Sequence, residues 1–167
     1  MKQSLKDLLE EQVRDLYDAA IQFRQTLPDM INACTSDELR QFLTAMQEDN
    51  SETILGVEEA CDLLQTAPDG ITCEAMDGLI REARRSTDET GDSATIDAAI
   101  IANAQRIAHY EIAGFGTGSA FAKALKLKEV AALLSDVAER AGRHDQRLTQ
   151  IAIGGWFVPG INDEAAA

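Results

Sequence analysis

Four long stretches of this chain repeat apolar side chains at steps of three and four, a spacing that admits little besides long amphipathic α-helices. The first stripe is Leu5, Leu9, Val13, Leu16, Ala20, Phe23 and Leu27. The second is Leu39, Leu43, Met46 or Gln47, Asn50, Ile54, Val57, Cys61 and Leu64. Ile100, Ala104, Ile107, Glu111 and Gly114 make the third, and Val130, Leu134, Val137, Ala141, His144, Leu148 and Ile151 the fourth. Helices are therefore expected over about residues 5–34, 35–65, 95–125 and 128–153. Pro28 should kink or interrupt the first, because proline lacks the amide proton a helix interior uses. Thr35-x-x-Glu38 has the form of a capping box and is expected to open the second. Only three prolines and 5% aromatic residues agree with helix over sheet.

The segments between the stripes organise them. Ala67-Pro68-Asp69-Gly70 is a turn, and residues 73–86 predict a short crossing helix with Met76, Leu79 and Ile80 as its apolar face. Residues 86–93 read as an acidic surface loop, and Gly154-Gly155 should end the last helix. Two helical hairpins joined by so long a connection imply an all-α, ferritin-like four-helix bundle, its connection carrying a short extra helix. Residues 1–155 are assigned to this bundle and 156–167 to a C-terminal tail. Trp156 and Phe157 in the tail are candidates for a subunit contact, and a homodimer is expected. Gly114, Gly116 and Gly118 predict close helix contacts or a local irregularity. They are not a phosphate loop, since no strand precedes them and no Lys-Ser/Thr follows.

Charge narrows the function classes. A net charge of -14 argues against binding nucleic acid or an anionic membrane surface. No stretch has the length of a membrane helix, and the N-terminus lacks the apolar centre of a signal peptide. Cys34, Cys61 and Cys73 are odd in number and show no CxxC spacing, so they read as reduced thiols packed in a cytoplasmic protein.

Polar residues interrupt the stripes at similar depths: Gln47 and Asn50 in the second helix, Glu111 in the third, His144 in the fourth. Gln47-x-x-Asn50 and Ala141-x-x-His144 share the spacing that places two side chains on one face. A carboxylate-bridged di-metal site in a bundle uses Glu-x-x-His on two helices and one Glu from each of the others. Here Ala20 stands where the first helix would supply its Glu, Gln47 and Asn50 are neutral amides, and Ala141 has no donor. Glu111 and His144 alone suit a metal. Too few anionic oxygens remain to neutralise two cations. The competing expectation is a buried Glu111 hydrogen-bonded to Asn50, Gln47, His144 or Tyr17, with a Glu111–His144 ion pair filling the site. His109 points away from Glu111 round the helix and should be a surface residue. Glu48-Asp49 and Glu58-Glu59 read as solvated faces.

Three stretches carry a resemblance. Asp15-Leu16-Tyr17-Asp18-Ala19, Cys73-Glu74-Ala75-Met76-Asp77-Gly78-Leu79-Ile80 and His109-Tyr110-Glu111-Ile112-Ala113-Gly114-Phe115-Gly116-Thr117, with the ending Gly160-Ile161-Asn162, resemble the YciE/YciF family of ferritin-like proteins. These are bacterial proteins of poorly understood role linked to stress responses, and the resemblance covers nearly the whole chain. It implies the ferritin-like fold. The family's ligand pattern is interrupted at Ala20, Gln47, Asn50, Ala108 and Ala141, and only Glu111, with Asp145, carries over. The expectation is a non-catalytic structural or stress-associated protein with a degenerated di-metal site and no cofactor. The alternatives are a metal-dependent oxidase or iron-handling protein using iron or manganese at Glu111 and His144, and an acidic helical module that binds a protein partner.

Overall fold

A computed structural model describes residues 4–88, 90–155 and 158–167. The described chain forms α1 (Leu5–Ala33), α2 (Asp37–Leu64), α3 (Glu74–Asp88), α4 (Ser93–Ala124) and α5 (Lys128–Ile153). A two-residue antiparallel pair, β1 (Gly154–Gly155) with β2 (Val158–Pro159), and a short α6 (Ile161–Ala165) complete it. The expected contact residues Trp156 and Phe157 lie outside the described residues.

Local chemistry explains most of the helix ends. Ser4 and Asp7 form a reciprocal capping box that opens α1. The helix then runs through Pro28 without the expected interruption. Pro28 is exposed, so the carbonyl it leaves unbonded one turn back can turn to solvent. The cap of α2 also departs from expectation. Ser36, one residue after Thr35, accepts from the Leu39 amide at 3.3 Å. Thr35 is occupied elsewhere, because the buried Asp97 carboxylate of α4 accepts from the Thr35 amide, the Thr35 hydroxyl and the Ser36 amide, each at 2.8 Å.

Cross-helix contacts set the topology. Asn50 reaches Ala20, and Tyr17 reaches Glu58, so α1 and α2 run in opposite directions. Tyr110 reaches Asp15 near the middle and Asp97 reaches Thr35 at the end, making α4 antiparallel to α1. Gln105 bonds Asp145 and Ser119 bonds Ala131, so α5 is antiparallel to α4; His144–Asp49 and Arg140–Glu52 make it antiparallel to α2 as well. It follows that α2 and α4 are parallel across the diagonal, and the connection between them must travel the length of the bundle. This is the ferritin-like arrangement expected from the stripes. On the way α3 packs against α1 and α4. The connection is pinned where the Cys73 amide donates to Asp18 at 2.7 Å and Gln22 donates to the Cys73 carbonyl at 3.2 Å.

The glycines of α4 do make close contacts. A Cβ on Gly114 would come within 2.5 Å of Leu16, which is fully buried, and one on Gly118 within 3.1 Å of Leu134. Gly116 faces open space. Beyond α5 the chain folds back on itself, and Ile161 of α6 is buried in the core. No helix of the described residues is long and apolar enough to cross a membrane.

Two apolar clusters fill the bundle. One holds Phe23, Met30, Leu43, Met46, Ile100, Ile107, Leu148 and Ile161 with Met76 and Ile80 of α3. The other holds Leu9, Val13, Leu16, Val57, Phe115, Leu134 and Val137. Ala20, Asn50, Ala108, Glu111 and Ala141 are buried but belong to neither. The core is thus interrupted at mid-depth by a level of small and polar side chains.

Among the described residues, Asp97 is the buried acid that ties α4 to the α1–α2 turn. Replacing it with alanine strands two backbone amides and a hydroxyl, and should lower the unfolding free energy by about 2–4 kcal/mol. Asp97→Asn, which keeps one acceptor oxygen, should lose less; urea titration of the three proteins measures both.

Candidate functional site at the middle of the bundle

The mid-depth level draws on all four long helices. Asn50 of α2 donates through Nδ2 to the Ala20 carbonyl of α1 at 3.2 Å, so these two residues are level. On α4, the Tyr110–Asp15 bond and the Gly114–Leu16 contact place Glu111 opposite the stretch of α1 that ends at Ala19. The contacts of α4 with α5 on either side, Gln105–Asp145 and Ser119–Ala131, bring Glu111 level with Arg140 and close to Ala141. Ala20 is thus level with Asn50, and Glu111 with Arg140.

Glu111 is 6% exposed and has no hydrogen-bond partner among the described residues. Each candidate partner is engaged elsewhere. Asn50 bonds Ala20, the Tyr17 hydroxyl donates to Glu58 at 3.0 Å, and His144 Nε2 lies 2.7 Å from Asp49 Oδ2. The expected Glu111–His144 pair is therefore not formed. The register explains why. His144 sits one turn of α5 beyond Arg140, about 6 Å further along the axis, and faces α2. Its ring also meets Phe42 edge-on at 5.9 Å. His109, as expected, is exposed, and lies 3.3 Å from Asp145.

Electrostatics at this level favour a neutral acid. Burial raises the Glu111 carboxyl from its ordinary 4.5 to about 7, and the positive charge of Arg140 opposes the shift. Arg140 is itself held by the Asp49 carbonyl at 2.9 Å and by Glu52 and Asp136 at 3.0 Å each. Burial also pushes the His144 imidazole below its usual range, opposed by the hydrogen bond and charge of Asp49. The amide oxygen Oδ1 of Asn50 is buried with no partner among the described residues.

The donors do not fit a carboxylate-bridged di-metal centre. Such a centre needs several anionic oxygens facing one another, and this level offers one carboxyl, which burial raises to about 7 and so leaves only partly ionised at neutral pH. A guanidinium within electrostatic reach of that carboxyl repels cations further. Among the described residues no three His, Cys, Asp or Glu side chains gather closely enough to hold a metal ion. What the level can do is bind and release a proton.

Two features were not legible in the sequence. Asp49, read as part of a solvated face, is the partner of His144, and its carbonyl accepts from Arg140. The signal was present as acids three apart, Asp49 and Glu52, facing cations four apart, Arg140 and His144. The second is a chain of contacts from Cys73 Sγ to the Tyr110 hydroxyl at 2.9 Å and from that hydroxyl to Asp15 at 2.7 Å. It unites the three stretches that carry the resemblance: the first contributes Asp15 and Asp18, the second Cys73, the third Tyr110. No local pattern announces it, since the three lie far apart in the chain.

An antiparallel bundle of four long helices, with a full-length connection between the second and third and a polar level at mid-depth, defines a ferritin-like protein. The chain belongs to the family described as Domain of unknown function (DUF892), which matches residues 4–161. It is 30% identical to Protein YciF of Escherichia coli over 151 residues, covering 90% of this chain and 91% of that one. The crystal structure of the E. coli stress protein YciF superimposes with a TM-score of 0.88, covering 91% of this chain and 96% of that one. YcfI of Rhodopseudomonas palustris, named as a candidate structural protein, superimposes with a TM-score of 0.86 at 36% identity, covering 90% and 96% of the two chains. A protein of Xanthomonas campestris, at 15% identity and a TM-score of 0.71, shares the fold over 88% of this chain and 89% of its own.

The raised carboxyl fixes a sign. Folding favours the protonated Glu111, so its stabilising contribution is complete below its ordinary 4.5 and is lost as pH rises to about 7. His144 acts the other way, since its lowered value makes stability fall as pH drops below its ordinary 6.5. Glu111→Gln mimics the neutral acid and leaves His144 unchanged. The difference in unfolding free energy between this variant and the parent isolates Glu111. It should grow from near zero at acid pH to roughly 3 kcal/mol in favour of the variant at alkaline pH, because a tenfold change in proton affinity on folding is worth about 1.4 kcal/mol. A difference that is flat with pH in denaturant titrations would show that Glu111 does not carry the proton.

Proposed function

We propose that this protein is a non-catalytic, stress-associated structural member of its family, built on a ferritin-like bundle whose di-metal site has degenerated. The observation that carries the reading is the isolation of Glu111: Ala20, Ala108 and Ala141 stand in ligand places, Asn50 is neutral, and Arg140 brings a positive charge to the same level. Two relatives point the same way, since YciF is named a stress protein and YcfI a candidate structural protein. The three cysteines are free and buried, which supports a reducing, cytoplasmic setting. Burial raises all three thiols, so they are poor nucleophiles.

Elemental analysis of protein purified from iron- and manganese-replete cells tests the reading. The expected content is well below one equivalent of either metal per chain. Stoichiometric metal that disappears in Glu111→Ala would favour the oxidase or iron-handling alternative instead. The reading includes a homodimer, supported by the exposed apolar Ile153 and Val158 at the end of α5 and in β2. Light scattering should then return twice the chain mass of 18.1 kDa, and a single-chain mass at all concentrations would remove that part.

A further inference from the structure

The dipeptide Asp-Gly occurs twice in the connection, at Asp69–Gly70 and at Asp77–Gly78. In this pair the glycine amide nitrogen can attack the preceding side-chain carboxyl, because glycine has no Cβ to shield it and turns freely. The fold treats the two copies in opposite ways. Gly78 lies in the second turn of α3, where helical bonding ties its amide to the carbonyl four residues back. The Asp77 carboxylate pairs with Arg81 at 3.3 Å. Asp69 and Gly70, by contrast, are exposed in the turn between α2 and α3. Among the described residues the Asp69 carboxyl takes no hydrogen bond or ion pair, and the Gly70 amide donates to nothing.

One contact sets this turn apart. The Arg14 guanidinium of α1 donates to the Asp69 main-chain carbonyl through Nε at 3.1 Å and through Nη2 at 2.5 Å. It also stands against the glycine, since a Cβ on Gly70, whose φ is +90°, would come within 2.8 Å of Nη2. The carbonyl that Arg14 grips belongs to the same peptide group as the attacking nitrogen.

We propose that Asp69–Gly70 is a self-modification site, at which Asp69 isomerises to isoaspartate through a cyclic imide, with Arg14 promoting the rearrangement. Ring closure forms a bond from the Gly70 nitrogen to the Asp69 side-chain carbon; the amide proton and the hydroxyl of the carboxyl leave as one water. As the nitrogen gives up its proton, negative charge spreads to the Asp69 carbonyl oxygen, where two N–H groups of a cation already sit. Ring opening returns the water. Addition to the main-chain carbonyl breaks the old bond to the Gly70 nitrogen and yields isoaspartate, whereas addition to the side-chain carbonyl restores aspartate. Arg14 holds the oxygen of the first of these carbonyls, so it stabilises the oxyanion on the path to isoaspartate. The product suits the same cation. Its freed main-chain carboxylate offers two oxygens in place of one, matching the paired donors of the guanidinium. No oxidant, metal or enzyme takes part, and the mass of the chain is unchanged.

Ageing the full chain at neutral pH tests the site. Trypsin releases residues 41–81 as one peptide that holds both dipeptides, and electron-transfer fragmentation locates isoaspartate within it. The folded protein should accumulate isoaspartate at Asp69 and leave Asp77 intact, while in urea both should convert. Equal conversion at both positions of the folded protein, or none at Asp69, overturns the site. A second measurement isolates Arg14. Water enriched in heavy oxygen marks each product with the oxygen it gained, so the ratio of isoaspartate to re-formed aspartate can be read however fast the imide forms. In Arg14→Gln that ratio at Asp69 should drop roughly threefold, towards its value in the urea-unfolded chain. Asp77 reports that the variant is folded, since it converts only when the chain is unfolded. An unchanged ratio overturns the role of Arg14.

Discussion

The register of α1 against α4 is the constraint on which the rest depends. It is held at three depths by three kinds of contact. At one end the Asp97 carboxylate grips the turn after α1; in the middle the Tyr110 hydroxyl reaches Asp15 and Gly114 admits Leu16; beyond that Gly118 lies beside Gln12. A shift by one turn would break the Asp97 contacts and the Tyr110–Asp15 bond. Because α2 follows α1 through the turn that Asp97 holds, and α5 follows α4, this one register aligns all four helices. It is what sets Glu111 against the middle of α1 and level with Arg140, with His144 one turn further along α5.

That alignment makes the middle of the bundle a place where the hydrophobic effect is given up. A continuous apolar core would join the two clusters; instead Asn50 and Glu111 are buried between them. The cost is eased in two ways. Glu111 sheds its charge by taking a proton, and the nearby Arg140 charge is balanced by Glu52 and Asp136 at the α2–α5 seam. The small residues at the same level belong to this balance. Alanines at positions 20, 108 and 141 bring no charge that would have to be matched. A working di-metal centre solves the same problem by the opposite route, with many carboxylates around strong cations.

Much of the fold was legible because periodicity is local. The stripe on the last helix names Val130, Leu134, Val137, Ala141, His144, Leu148 and Ile151, and every one is buried. The misreadings came where a distant residue overruled a local signal. Thr35 has capping chemistry, but Asp97, sixty-two positions later, claims its hydroxyl and moves the cap to Ser36. Pro28 is a helix breaker by propensity, yet it faces solvent on a helix long enough to carry it. Asp49 looked solvated because nothing within a turn of it on α2 is a cation. Its partners lie on α5.

By itself, the sequence determined the helices, the faces they bury, the ferritin-like course of the chain and the family. Each of these follows from side-chain spacing of three and four, from the length of the connection, or from contiguous stretches of residues. It also placed an acid, Glu111, where an apolar residue belongs. Only the tertiary structure decided what that acid meets. A helix turns by about 100° and rises about 1.5 Å per residue. Whether Glu111 faces His144 or lies one turn from it therefore depends on the mutual register of two helices, which no stripe encodes. The register puts His144 on Asp49 and leaves Glu111 among alanines, an amide and a guanidinium. Desolvation then makes it a proton-binding group at neutral pH.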